Sequence, residues 1–93
     1  MLLNLDELHE RRRVLYEQIA ANLDMLIGSV TTKGPQRPGF NITSRLDGVM
    51  RSRHIRKHDL QKVRLMTARY KKLKQLIHKL SDLNWQILIH PTE

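Results

Sequence analysis

The chain contains no cysteine. Disulfides and thiolate metal sites are therefore excluded as sources of stability or chemistry. Aromatics are scarce, with one Trp, two Tyr and one Phe in 93 residues. That disfavours single-strand recognition, which leans on stacked rings. No run approaches the roughly 18–20 uninterrupted apolar residues that spanning a bilayer needs. The start, Met1 to Glu7, is acidic and has no signal-peptide n-region or h-region, so it reads as a native N-terminus. Together these absences imply a cytoplasmic protein with no membrane partner. Acids are short as well: 17 Lys+Arg stand against 9 Asp+Glu, a formal charge of +8. A balance this basic, at this size, points to an anionic partner.

Catalytic groups are also missing. The carboxylates are thinly spread, no Gly-rich loop precedes a helix, and no Ser has a nucleophile's setting, so no enzyme and no cofactor are expected. His54 and His58 have a His-x3-His spacing, but they straddle a strand end and a helix start. Only Asp59 is near as a third ligand, so no metal is expected. The imidazoles are better placed to meet phosphate.

Apolar residues recur at helical spacing from Leu5 to Val30 (Leu5, Leu8, Leu15, Ile19, Leu23, Leu26, Ile27, Val30). Asn4 suits the N-cap, and Asp6 and Glu7 complement the dipole of the first turn. Lys33 to Gly39, KGPQRPG, cannot continue a helix and forms a linker. Asp47-Gly48 then sits between two strand-like segments, which predicts a two-residue type I′ hairpin over Phe40 to Ile55. That turn pairs Leu46 with Val49, Ser44 with Arg51, Ile42 with Arg53 and Phe40 with Ile55. From an Asp59 N-cap a second helix runs to about Ile89, stopped by Pro91. Its heptad puts Val63, Tyr70, Ile77 and Asn84 at a, and Met66, Leu73, Leu80 and Ile87 at d.

The expected fold is therefore mainly α, a single domain over residues 1–93. Two long antiparallel helices of matched length, about 40 and 45 Å, form a helical hairpin or coiled coil joined by the short β-hairpin. A core so thin implies a homodimer, packed as a four-helix bundle through those a and d residues. Asn84 either fixes the register of that bundle or lies near a frayed end.

The basic strip is the most informative feature. Between Arg51 and Lys79 stand eleven Lys or Arg and one acid, Asp59. The heptad sets Arg64, Lys71, Lys72 and Lys79 outside the seam, with Arg69 and Lys74 at its edges. Ordinary solvated helix faces mix signs through i,i+4 pairs, whereas no acid lies between Lys62 and Lys79. Arg51, Arg53, Arg56, Lys57, Lys62, Arg64, Arg69, Lys71, Lys72 and Lys74 are the candidate phosphate contacts. Arg11-Arg12-Arg13 carries its own acids nearby, Glu7, Glu10 and Glu17, and is read as neutralised. Helix-turn-helix spacing is absent.

Gly28-Ser29-Val30, Gly39-Phe40, Leu46-Asp47-Gly48 through Arg51-Ser52-Arg53-His54-Ile55, then Val63-Arg64, Arg69-Tyr70 and Leu83-Asn84 resemble one family. It is a domain family of unknown function, of small bacterial and archaeal proteins often encoded near transposases and integrases. The likeness covers most of residues 8–88. It implies a helix–hairpin–helix layout and a mobile-DNA setting, hence DNA ahead of RNA, and it supplies no reaction. Many members carry a Cys-rich segment where this chain has KGPQRPG, so no metal or redox role follows here. The alternative function is a protein–protein adaptor, its helices engaging a recombinase or another partner protein.

Overall fold

A computed structural model of the chain describes residues 3–91. Met1 and Leu2, part of the acidic start, lie outside the described residues. The elements are α1 (Leu5–Ala21), β1 (Ser29–Thr32), β2 (Phe40–Leu46), β3 (Val49–Ile55), one 3-10 turn (Lys57–Asp59) and α2 (Leu60–Leu88). This is an α+β fold, in which a three-stranded antiparallel sheet of order β1-β2-β3 separates the two helices along the chain. The expected mainly-α helical hairpin with matched helices is thus corrected. α1 has 17 residues against 29 in α2, and the connection holds three strands where two were expected.

The reason begins at Asn22. Helix α1 starts as its sequence dictates, with Asn4 Oδ1 accepting from the Glu7 N–H at 2.8 Å. At the other end the Asn22 side-chain amide donates to the Gln18 carbonyl at 2.8 Å, the acceptor its own backbone would use in a helix. The Asn22 N–H turns instead to Ile19 O at 3.0 Å. Such side-chain competition ends helices. Leu23, Leu26, Ile27 and Val30, which continue the apolar periodicity, therefore leave the helix. Ser29 to Thr32 form β1, where the β-branched side chains of Val30, Thr31 and Thr32 suit a pleated surface.

The two sheet connections differ in kind. Asp47 and Gly48 have φ of 52° and 77°, the pair of positive values a type I′ turn requires. Leu46↔Val49, Ser44↔Arg51, Ile42↔Arg53 and Phe40↔Ile55 pair as that turn predicts. β1 joins β2 through residues 33–39, closed by Lys33 N–H to Gly39 O at 3.3 Å. β1 lies against β2 with Val30↔Ile42 and Thr32↔Phe40. Gly28, just before β1, is required by space: a Cβ there would stand 2.8 Å from both Ile42 Cγ1 and Thr43 O.

The chain divides into two compact units, Met1–Leu23 with Lys71–Glu93, and Asp24–Tyr70. In the helical unit Leu8, Leu73, Leu76 and Leu83 are buried. Leu3 O accepts from His90 Nε2 at 3.1 Å, and Arg12 donates to Asn84 Oδ1 at 3.2 Å, so the two segments pass in opposite senses. In the sheet unit Ile55 and Thr67 are buried, and Leu26 N–H reaches Met66 O at 3.1 Å.

Helix α2 does not keep one a/d seam. In the sheet unit it half-buries Val63, Met66 and Tyr70. In the helical unit the inward row is Leu73, Leu76, Leu80, Leu83 and Ile87, while Ile77 and Asn84 are exposed. A straight helix has about 3.6 residues per turn, so a strict seven-residue repeat drifts off any one face. Asp59, expected as N-cap, instead directs its carboxylate to Arg56 Nε at 2.7 Å.

Candidate nucleic-acid interface

Alternation along β3 determines where its cations point. Arg51 and Arg53 pair with Ser44 and Ile42, so they share a sheet face with Phe40 and Ile55. Both are exposed. Arg53 stands beside a groove lined by Met25, Leu26, Ile27, Ile42 and Ser44. The opposite face carries a row of hydroxyls across all three strands: Thr31 Oγ1 to Thr43 Oγ1 at 3.1 Å, then Thr43 Oγ1 to Ser52 Oγ at 3.3 Å. Arg45 and His54 belong to this second face by register. Arg45 is a cation that the sequence reading passed over, although the hairpin alternation assigns it to that face.

Four of the expected phosphate contacts have partners within the sheet unit. Arg69 donates to Asp24 Oδ2 at 2.9 Å and to the Asp24 carbonyl at 3.1 Å. Lys62 Nζ lies 3.7 Å from the same carboxylate. Arg56 is held by Asp59. The Arg64 guanidinium sits 5.4 Å from the centroid of the Phe40 ring, within cation–π range. Asp24 is 45 residues from Arg69 in sequence, which is why inspection of the strip missed it.

Arg51, Arg53 and Lys57 make no ion pair among the described residues and are exposed. The same is true, in the helical unit, of Lys71 and Lys72. Lys74 is exposed there too. The expected interface residues divide: Leu73 is buried and Leu80 and Ile87 half-buried in the helical unit's own core, and Val63, Met66 and Tyr70 are half-buried in the sheet unit.

The arginine triplet on α1 behaves differently. Arg13 bridges Glu10 and Glu17, and this hydrogen bonding holds the Glu10 carboxyl below its ordinary value while raising the guanidinium's. Arg12 lies 5.9 Å from the Tyr16 ring. His54 is on β3, and His58, in the 3-10 turn, has Nε2 3.6 Å from Asp59 Oδ1. Among the described residues no group of three His, Cys, Asp or Glu side chains is placed to hold a metal. No helix among them is long and apolar enough to cross a membrane.

With this geometry established, the fold class is α+β, built as a helix, a three-stranded antiparallel sheet and a second helix. No protein-family model, no curated protein and no solved structure matches the chain.

Proposed function

We propose that the protein binds nucleic acid, duplex DNA ahead of RNA, chiefly through phosphate contacts. The observation that carries this reading is a surplus of uncompensated cations. Along the basic strip, Arg51, Arg53 and Lys57 in the sheet unit, and Lys71 and Lys72 on the rest of α2, are exposed without an ion pair among the described residues. Cations of this kind gain by releasing counterions from a polyphosphate, with little sequence information. Lys62 and Arg69 are secondary, because Asp24 already holds them. The resemblance to proteins encoded beside transposases favours DNA over RNA.

Titration of fluorescent random duplex DNA across a salt series tests the reading. Binding should weaken steeply with salt, and each unpaired cation removed should flatten the log–log slope by about 0.9. Absence of binding at low salt, or affinity indifferent to salt, overturns it.

A protein–protein adaptor is the second reading, and one observation favours it. Leu46, Val49 and Met50 are all more than half exposed around the β2–β3 turn, an apolar tip suited to a partner's groove. A pull-down repeated after nuclease treatment separates the two, since a direct protein contact survives loss of the nucleic acid.

A further inference from the structure

The sheet has a face that the core does not use. Phe40, beside the Arg64 guanidinium, and the buried Ile55 belong to one side of the sheet. Strand register sets Thr31, Asn41, Thr43, Arg45, Ser52 and His54 together on the other side. None of the six is buried. The side chains of Asn41, Arg45 and His54 make no hydrogen bond or ion pair among the described residues.

We infer that this face enters the major groove of duplex DNA and reads base edges there. It rests on the proposed binding of nucleic acid and adds to it a source of sequence preference. Three observations name the occupant. The first is chemistry. Asn can bond adenine at N6 and N7, Arg can bond guanine at O6 and N7, and Ser or Thr hydroxyls serve either. The hydroxyls of Thr31, Thr43 and Ser52 are bonded in a row at 3.1 and 3.3 Å, which holds them in place. Each hydroxyl oxygen has two lone pairs, so the row keeps free acceptors.

The second is charge. A solvated sheet side is polar in any case, but an ordinary surface intersperses both signs. This face has Arg45 and no acid. From Ser29 to Ile55 the one acid is Asp47, in the turn, against five Lys or Arg. Such a field suits a polyanion.

The third is shape. The major groove of B-DNA, about 12 Å wide, admits a two-stranded β-ribbon. β2 and β3, paired along their whole length, supply one. Arg51 and Arg53 leave its edge strand, β3, from the other face and reach flanking phosphates around that margin. Asn41 and Arg45 stand on the same strand about 13–14 Å apart, the rise of about four base pairs. A preferred site therefore holds an adenine and a guanine at about that separation.

Selection from a randomised duplex library with the full-length protein tests this. It should return one short motif, bound roughly tenfold or more tighter than random duplex, as a bidentate contact supplies. Methylation of guanine N7 in the motif should remove that preference, whereas a minor-groove ligand should leave it. The same motif as duplex RNA should show none, because the A-form major groove is too deep and narrow. Asn41→Ala and Arg45→Gln should each relax one position of the motif, with far-UV circular dichroism unchanged. Arg51→Gln should instead weaken motif and random duplex alike, keeping their ratio. Salt-dependent binding to random duplex with no motif returned overturns this inference alone. So does a preference that survives both Asn41→Ala and Arg45→Gln. Failure to bind any duplex overturns the proposed nucleic-acid binding as well.

Discussion

The two units use charge in opposite ways. In the sheet unit, acids restrain the cations: Asp24, brought in by the fold, takes Lys62 and Arg69, and Asp59, three residues along the chain, takes Arg56. In the helical unit Arg13 joins Glu10 and Glu17 along α1, while Lys71 and Lys72 on α2 make no ion pair among the described residues. Charge density along the sequence therefore overstates the sheet unit's supply of phosphate ligands, including Lys62, Arg64 and Arg69 on the first part of α2, and does not overstate what Lys71 and Lys72 offer.

Their cores differ as well, and the largest expected effect exploits this. Leu76 is the most completely buried side chain among the described residues, 1 % exposed, in a helical core made of leucines. Leu76→Ala should lose about 3 kcal/mol in urea unfolding, from lost transfer energy plus the cavity left behind. Ile55→Ala, in a sheet unit whose other buried residue is Thr67, should cost about 2–3 kcal/mol. If Leu76→Ala melts the helical unit and leaves sheet-unit amide protection intact by hydrogen exchange, the units unfold separately. A single coincident transition instead shows them coupled through α2.

Gly28→Ala comes next. The added Cβ would meet Ile42 Cγ1 and the Thr43 carbonyl at 2.8 Å, and φ there is +147°. Backbone oxygen cannot move aside as a flexible chain end does, so the substitution should cost about 2 kcal/mol by thermal or urea unfolding. Gly34→Ala, whose Cβ meets nothing within 4 Å at φ +124°, isolates the backbone strain alone. It should cost about half as much. Equal losses at both sites would remove close packing from the explanation.

How much of this was legible in the sequence follows the range of the forces. The β2–β3 hairpin was readable to the residue, because Asp47-Gly48 fixes turn and register locally. The start of α1 was readable from Asn4 for the same reason. Its end was not: Leu23, Leu26 and Ile27 extend the apolar period, and the Asn22 amide that stops the helix is one polar residue among many. β1 was hidden by that over-extended helix, although Val30-Thr31-Thr32 was its signal. On α2, the heptad reading gave the apolar residues but not which of them turn inward. Leu76 and Leu83 replace Ile77 and Asn84 in the buried row.

The contrast in charge is sharpened by Asp24→Asn. The carboxylate is about two-thirds exposed, so its loss should cost less than about 1 kcal/mol of stability. It frees Lys62 and Arg69 in the sheet unit. DNA affinity should rise, and the salt slope should steepen by up to about 1.8 if both cations then reach phosphates. Arg51→Gln and Arg53→Gln should move the slope the other way. An unchanged slope in Asp24→Asn would mean that neither Lys62 nor Arg69 reaches phosphate even when released.

The smallest effect belongs to α1. Hydrogen bonding from Arg13 lowers the Glu10 carboxyl below its ordinary value of about 4.5. A group whose pKa is depressed by folding adds stability that is present above its unfolded value and is lost as pH falls through the folded one. The affected window is therefore acidic, below the ordinary carboxylate range, and near neutrality the contribution is constant. Both partners lie on the surface, where solvent and salt screen the pair, so Glu10→Gln should shift the neutral-pH melting temperature barely or not at all. A carbon-detected titration of Glu10 should place its midpoint below that of an unpaired glutamate, and Arg13→Gln should restore it. A midpoint unmoved by Arg13→Gln would show that the α1 pair does not persist in solution. The contrast between locally paired α1 and Lys71 and Lys72, which have no ion pair among the described residues, would then disappear.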